Sequence, residues 1–481
     1  VLKSCCTVAR RRSAMPPPSP FGCPMSVMSA SQEFRMPCNE SGPPLWADYA
    51  PHPMTWDELF TRDLQPRIHC EAMIQSLGEL SRKGFQTRRT NADLVFINQG
   101  ITFSVYSDRR GVEKIFPFDL IPRPIAAAEW QHVEAGLRQR IRAINLFLYD
   151  VYHQRHILRE GIIPADLVLQ SKCYRPEMIG FDPPGKQYVH VCGTDLVRDP
   201  AGEFLVLEDN GRTPSGVSYV LENRVVMKKV FPHLFQQCKV RRVEEYPQRL
   251  RDALLSVAPA SAPANPTIVL LTPGSHNSAY FEHSFLARHM GVELVMGQDL
   301  FVHEERVYLK TTRGPRRVDV IYRRLDDDFL DPTVFRPDSL LGVPHLMKAY
   351  RAGNVTLANA VGTGVADDKA IHPYVEDMIR FYLTEEPILK NVPTYICAKP
   401  DDLRYVVDHL DQLVVKAVNE SGGYGMLMGP MSTVEKRAEF RQKVLDQPRN
   451  YIAQPVVTLS TCPTWTEDGL APRHVDLRPY I

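Results

Sequence analysis

The sequence predicts an α+β protein carrying an α/β unit in its second half, and three observations predict it. The apolar run 204–207 ends in Glu208-Asp209-Asn210. It is preceded by a second strand-like stretch, 193–197, and by the turn-forming Asp199-Pro200-Ala201-Gly202, which together read as an antiparallel hairpin. Residues 267–272 form a buried-strand pattern, 280–290 a helical one closed by Gly291, and 292–295 a second strand. That order is a βαβ unit, hence a parallel sheet with a right-handed crossover. Finally, the short strand 412–416 ends in Lys416 and runs into the glycine-rich Ser421-Gly422-Gly423-Tyr424-Gly425.

A chain of 481 residues is long enough for two to four domains. Its apolar (44%) and charged (23%) fractions are those of a globular protein. A formal charge of +1 gives no overall field favouring nucleic acid or a membrane surface, and no apolar run reaches membrane-spanning length. The 10 cysteines show no CxxC and no Cys/His ligand spacing, which argues against a zinc or disulfide framework and for a reducing, cytoplasmic setting. Arg10-Arg11-Arg12 leads into prolines rather than an apolar core, so no secretory signal is visible. Residues 1–45, rich in Pro, Ser and Met, are expected to be disordered. Met25, Met28, Met36 and Met54 are alternative starts.

In chain order, 56–83 reads as a helix stopped by Gly84, and 93–106 as two short strands around Asn98-Gln99-Gly100. Residues 126–154 read as a long helix with Trp130, Val133, Leu137, Ile141, Ile144 and Leu148 on one stripe. His153 and His156 near its end read as structural rather than ligating. A helix is expected over 218–230, and 258–266 is a Pro/Ala/Ser-rich linker. Residues 317–324 read as one strand emerging into Asp326-Asp327-Asp328. Asp367-Asp368-Lys369 is expected to open a helix that continues through 374–383. A helix over 401–408 and strands over 451–455 and 474–481 complete the reading. The domain limits expected are 1–45, 46–257, 258–365 and 366–481.

The chemistry concentrates in a few places. Glu208 and Asn210 are two apart, so on a strand they share a face. With a two-residue loop at Pro200-Ala201, Asp195 falls opposite Val206 and diagonal to Glu208, on that same face. A bulge at Gly202 would turn it away. Two carboxylates and an amide oxygen are hard ligands suited to Mg²⁺ that also holds phosphates; the plainer alternative is a solvated strand end. Lys416 before a glycine-rich loop reads as a phosphate cradle, or else as a hairpin with a surface lysine. It is not a Walker A motif. Arg212, in the loop after the hairpin, either meets an anion or is solvated. Arg323 and Arg324 beside the aspartates either contact an anionic substrate or belong to an ion network.

Taken together, 206–216, 319–329, 362–369, Val415-Lys416 with 421–425, and 451–455 resemble the circularly permuted ATP-grasp proteins related to glutathionylspermidine synthase. The resemblance runs from about residue 50 to the end. The metal hairpin precedes the lysine loop, as a permutation requires. It implies an ATP-grasp fold with an inserted, pre-ATP-grasp-like α/β domain. It also implies an ATP-dependent carboxylate–amine ligase using ATP and Mg²⁺ on small-molecule or peptide substrates. Asp195, Glu208 and Asn210 match the Mg²⁺ ligands, and Lys369 and Lys416 the phosphate lysines. Gly422, Gly423 and Gly425 match the closing loop, and Gln454 the adenine hinge. Arg212, Arg323 and Arg324 are the candidate catalytic arginines. The arginine that precedes the first metal carboxylate in glutathionylspermidine synthase is replaced by Gly193-Thr194. Relatives continue past Arg478–Tyr480, so a further terminal element is expected. Two other readings compete: a catalytically inactive nucleotide-binding scaffold for a protein partner, and a glutathione-handling hydrolase. The second lacks a candidate nucleophile.

Overall fold

The computed structural model describes residues 45–104, 113–418 and 425–481. The disorder expected for 1–45 concerns residues outside that range except Leu45, which is buried.

Helices α1 (Glu71–Gly78) and α2 (Arg82–Asn98) replace the single helix expected over 56–83. Pro66 cannot sit inside a helix. The chain before it is instead folded by Asp57, whose Oδ1 accepts from the backbone N–H groups of Leu59 and Phe60, both at 2.9 Å. Gly84 is not a stop. It lies in the first turn of α2 and donates its N–H to the capping hydroxyl of Ser81 (3.1 Å). Residues 93–98, expected as strand, continue α2. Among the described residues β1 (Thr102–Ser104) follows, paired with β2 (Glu113–Ile115).

Helix α3 (Ala127–Tyr152) matches its expected length. Val133 and Leu137 from its apolar stripe pack against Leu196, Phe204 and Val206 of the hairpin β3 (Gly193–Arg198) and β4 (Phe204–Asn210). The hairpin is completed by β12 (Lys390–Asn391), parallel to β4. On its other edge lies the C-terminal segment, bridged at Leu196–Leu477 and Gly193–Tyr480.

The βαβ unit is β5 (Ile268–Leu271), the helix Tyr280–Met290 and β6 (Glu293–Val295). Gly291 ends the helix in the left-handed conformation. With β10 (Val320–Arg323) and β11 (Thr356–Ala358) these strands make a parallel sheet in the order β11-β10-β5-β6. The strand expected over 317–324 is two strands. Asp319 is fully buried against Thr267 N (2.9 Å) and Arg317 (2.8 Å). The chain divides there: β9 (Arg316–Val318) joins an antiparallel sheet with β7 (Leu300–His303) and β8 (Arg306–Leu309), while β10 enters the parallel one.

The last large sheet is antiparallel, in the order β13-β16-β14-β15: β13 (Tyr395–Ile396), β14 (Leu413–Ala417), β15 (Met426–Met428) and β16 (Tyr451–Pro455). The helices Pro400–Asp408 and Val434–Asp446 cover it, with Val406, Phe440 and Val444 in the shared core. A hairpin, β17 (Thr461–Thr466) and β18 (Gly469–His474), follows. Residues 367–371 form turns rather than the expected helix start. The helical turns begin at His372 and end in a π-helical stretch, Ile379–Leu383.

Candidate functional site

Strand β4 changes face halfway along. Leu196 pairs with Val206, but the next residue of β3, Asp195, pairs with Glu208, so Leu207 is an extra residue in the ladder. Such a bulge reverses the in–out order of the side chains. Before it, Phe204 and Val206 are buried; after it, Asp209 is buried while Glu208 and Asn210 are partly exposed. The expected two-residue loop is therefore corrected. Asp195 lies directly opposite Glu208, not Val206: Asp199 N donates to Glu203 O (3.0 Å) and Arg198 pairs with Phe204, so Gly202 (φ 94°) is one extra residue in the turn and Leu207 a second one in the strand. The bulge lets an apolar strand hand its last polar residues to a cleft.

Asp209 anchors that arrangement from below. Arg140, on the α3 stripe, donates to it through Nη2 (2.5 Å) and Nε (3.4 Å), and Thr194 Oγ1 donates at 2.9 Å. His372 Nδ1 lies 3.5 Å away. Burial opposes the Asp209 charge, but Arg140 and His372 outweigh it and hold the carboxyl well below the usual range.

On the cleft side, both oxygens of Asp195 are taken by Arg478. Lys369 Nζ stands 3.6 Å from Glu208, and the Asn210 amide nitrogen donates to Gly193 O (3.2 Å). Burial pushes Asp195 up to about 6, with Glu208 adding to it and Arg478 opposing it. Glu208 moves the other way: Lys369, Asp195 and Lys416 overcome the cost of its burial. The pairing brings two carboxylates and an amide onto one face. That donor set fits Mg²⁺. Among the described residues no group of three or more His, Cys, Asp or Glu could hold a metal ion.

Lys416 comes from β14. Its Nζ donates to Gln454 Oε1 (2.7 Å), and Gln454 Nε2 donates to Thr394 Oγ1 (2.9 Å). Burial lowers Lys416 to about 8, against the pull of Glu208. Glu208, Lys369, Lys416, Gln454, Asp367 and His372 line one pocket. Gly425 takes a positive φ of 63° and its carbonyl accepts from Ala417 N (3.0 Å). Gly422 and Gly423 lie outside the described residues.

The three arginines divide. Arg212 stays beside the pocket, bonded to Asp367 (3.3 Å) and 3.6 Å from Asp326. Asp367 also accepts from the backbone of Gly211 (2.6 Å) and Arg212 (3.1 Å), which is why it caps the loop and not a helix. Arg323 and Arg324 do not reach the pocket. Arg323 is fully buried and donates to the carbonyls of Asn359, Leu325 and Ala360 at 2.6–2.9 Å, with Asp327 at 2.8 Å. Arg324 holds Pro214 O (2.7 Å) and Thr213 O (3.3 Å) and faces Glu282 (3.5 Å). Both side chains bond the framework, as the ion-network alternative expects, and the buried Arg324 Nε has no hydrogen-bond partner. The sequence reading missed Arg140, Arg478 and Asn359, whose side-chain amide ties His190, Val191 and Gly211 together.

A family model, "Circularly permuted ATP-grasp type 2", matches residues 122–481. The chain belongs to this circularly permuted ATP-grasp family. Its relatives include "Uncharacterized protein sll0335" of Synechocystis, 55% identical over 426 residues, covering 89% of this chain and 88% of that protein. "Putative glutamate--cysteine ligase 2-2" of Frankia casuarinae is 40% identical over 430 residues, covering 89% of this chain and 50% of that protein. The fold resembles a glutathione synthetase-like effector of Globodera pallida (TM-score 0.51, 12% identity, 82% of this chain and 87% of that chain). No helix among the described residues is long and apolar enough to cross a membrane.

Proposed function

We propose that this ATP-grasp chain is an ATP-dependent carboxylate–amine ligase. The observation that carries the reading is convergence. Glu208, Lys369, Lys416 and Gln454, separated by up to two hundred and more residues of sequence, line a single pocket. Asp195 stands across the ladder from Glu208. In the reaction proposed, a substrate carboxylate oxygen attacks the terminal phosphorus of ATP and ADP departs. An amine then attacks the resulting acyl phosphate, loses a proton, and phosphate leaves. Lys369 and Lys416 neutralise phosphate oxygens by charge-assisted hydrogen bonds. Mg²⁺, held by Asp195, Glu208 and Asn210, would supply the further positive charge this transfer needs. Arg212, half-exposed at the rim, orients the carboxylate substrate. No side-chain nucleophile is required.

The domain reading follows the same logic: 258–365 as the pre-ATP-grasp-like α/β unit, 366–481 as the lysine and glycine-loop part, and the hairpin contributed from 46–257. The name of the Frankia relative makes glutamate the first carboxylate to try. Phosphate release from ATP, measured across amino acids, short peptides and polyamines, tests the proposal. It expects release that depends on a particular carboxylate. A rate indifferent to every carboxylate overturns it.

A further inference from the structure

The segment 475–481 is a strap along β3. Leu477 and Leu196 exchange backbone bonds (2.8 and 2.9 Å), as do Ile481 and Cys192 (2.8 and 3.0 Å), and Thr194 N donates to Pro479 O (3.2 Å). The Tyr480 hydroxyl donates to Ser215 O, tying the strap to the loop that follows β4. This fixes the backbone of Arg478 beside the hairpin. Its guanidinium then takes both oxygens of Asp195, Nε on one and Nη2 on the other.

The two partners are unequally placed. The Asp195 side chain is 12% exposed and the Arg478 side chain 44%. The carboxylate is held by its strand, whereas the arginine has solvent to turn into without disturbing the strap. A carboxylate with both oxygens in a guanidinium fork cannot give one to a metal ion without losing part of that fork. The pair is therefore a lock on the proposed metal face.

We propose that Arg478 is a built-in counter-cation of the β3–β4 hairpin. It holds Asp195 until nucleotide arrives, then exchanges places with the divalent cation, so that metal uptake depends on bound nucleotide. The inference rests on the ATP and Mg²⁺ reading above. A released guanidinium can grip two phosphate oxygens in the same fork it makes with Asp195.

Mn²⁺ binding to the full chain, followed by electron paramagnetic resonance with and without a nonhydrolysable ATP analogue, tests it. Arg478→Met is expected to tighten nucleotide-free Mn²⁺ binding by about fivefold or more, the worth of a charge-assisted contact. The gap between nucleotide-free and nucleotide-bound affinities should shrink with it. Arg478→Lys, which keeps the charge but not the fork, should fall between. A merely structural arginine would not produce tighter binding. If Arg478→Met and Arg478→Lys leave Mn²⁺ affinity unchanged or weaker while Asp195→Asn weakens it, the counter-cation role is overturned and the metal reading stands. If Asp195→Asn has no effect either, the metal reading itself fails.

Discussion

Asp195 stands directly opposite Glu208, one step beyond the bulge at Leu207. The bulge turns Phe204 and Val206 toward α3 and Glu208 toward the cleft. Glu208→Gln keeps the shape and removes the charge. ATP turnover should be abolished while nucleotide binding stays measurable. A colorimetric phosphate assay beside a fluorescence binding titration checks this; wild-type turnover in the variant would remove Glu208 from the chemistry.

Arg140 and Asp209 are both buried, and breaking such a pair leaves an uncompensated charge. Arg140→Met should cost about 3–5 kcal/mol of stability. Arg140→Met combined with Asp209→Leu should recover much of the loss. Urea unfolding of the wild type, Arg140→Met, Asp209→Leu and the double variant separates this from a simple packing defect, in which the losses would add.

His283 is buried against Thr272 Oγ1 (2.9 Å) and near Arg324, and burial first, then Arg324, lowers it to about 3. The folded protein therefore binds fewer protons here than the unfolded chain. The stabilising contribution is present above the unfolded value of about 6.5 and is lost as pH falls toward 3. Between pH 6.5 and pH 5 the wild type should lose about 2 kcal/mol more than His283→Gln. Parallel losses in the two proteins would contradict the assignment.

Much of the molecule was legible in the sequence because local patterns carried it. The α3 stripe, the βαβ unit and the lysine strand depend on periodicity and caps, and the structure contains all three. The boundaries that failed depended on single residues acting at a distance. Pro66 and the Asp57 turn break the first expected helix, and buried Asp319 divides a strand between two sheets. The Leu207 bulge is invisible to alternation alone. Yet Asp209 carried a signal: between two cleft-facing residues it has to point inward, and a buried carboxylate needs a cation. Arg140, a charged residue in an otherwise apolar stripe, was the matching clue. For Arg323 and Arg324 the sequence leaves substrate contact and ion network open, because backbone carbonyls as partners leave no trace in it.

Lys416 and Lys369 arrive from different segments, yet both act on Glu208. Lys416→Ala and Lys369→Ala should each weaken Mg-ATP binding by about 1.5–3 kcal/mol without unfolding the protein, the loss of one charge-assisted phosphate contact. Isothermal titration reads this directly. Unchanged affinity in both variants would mean that the pocket is not where phosphate binds.

The ligase reaction stands or falls on an acyl phosphate. Hydroxylamine in place of the amine substrate intercepts such a species as a hydroxamate, whose iron complex is coloured. Incubated with ATP, Mg²⁺, hydroxylamine and a panel of carboxylates beginning with glutamate, the wild type should form hydroxamate in step with released phosphate, and Glu208→Gln should form none. Phosphate released in full with no hydroxamate from any carboxylate would contradict the account.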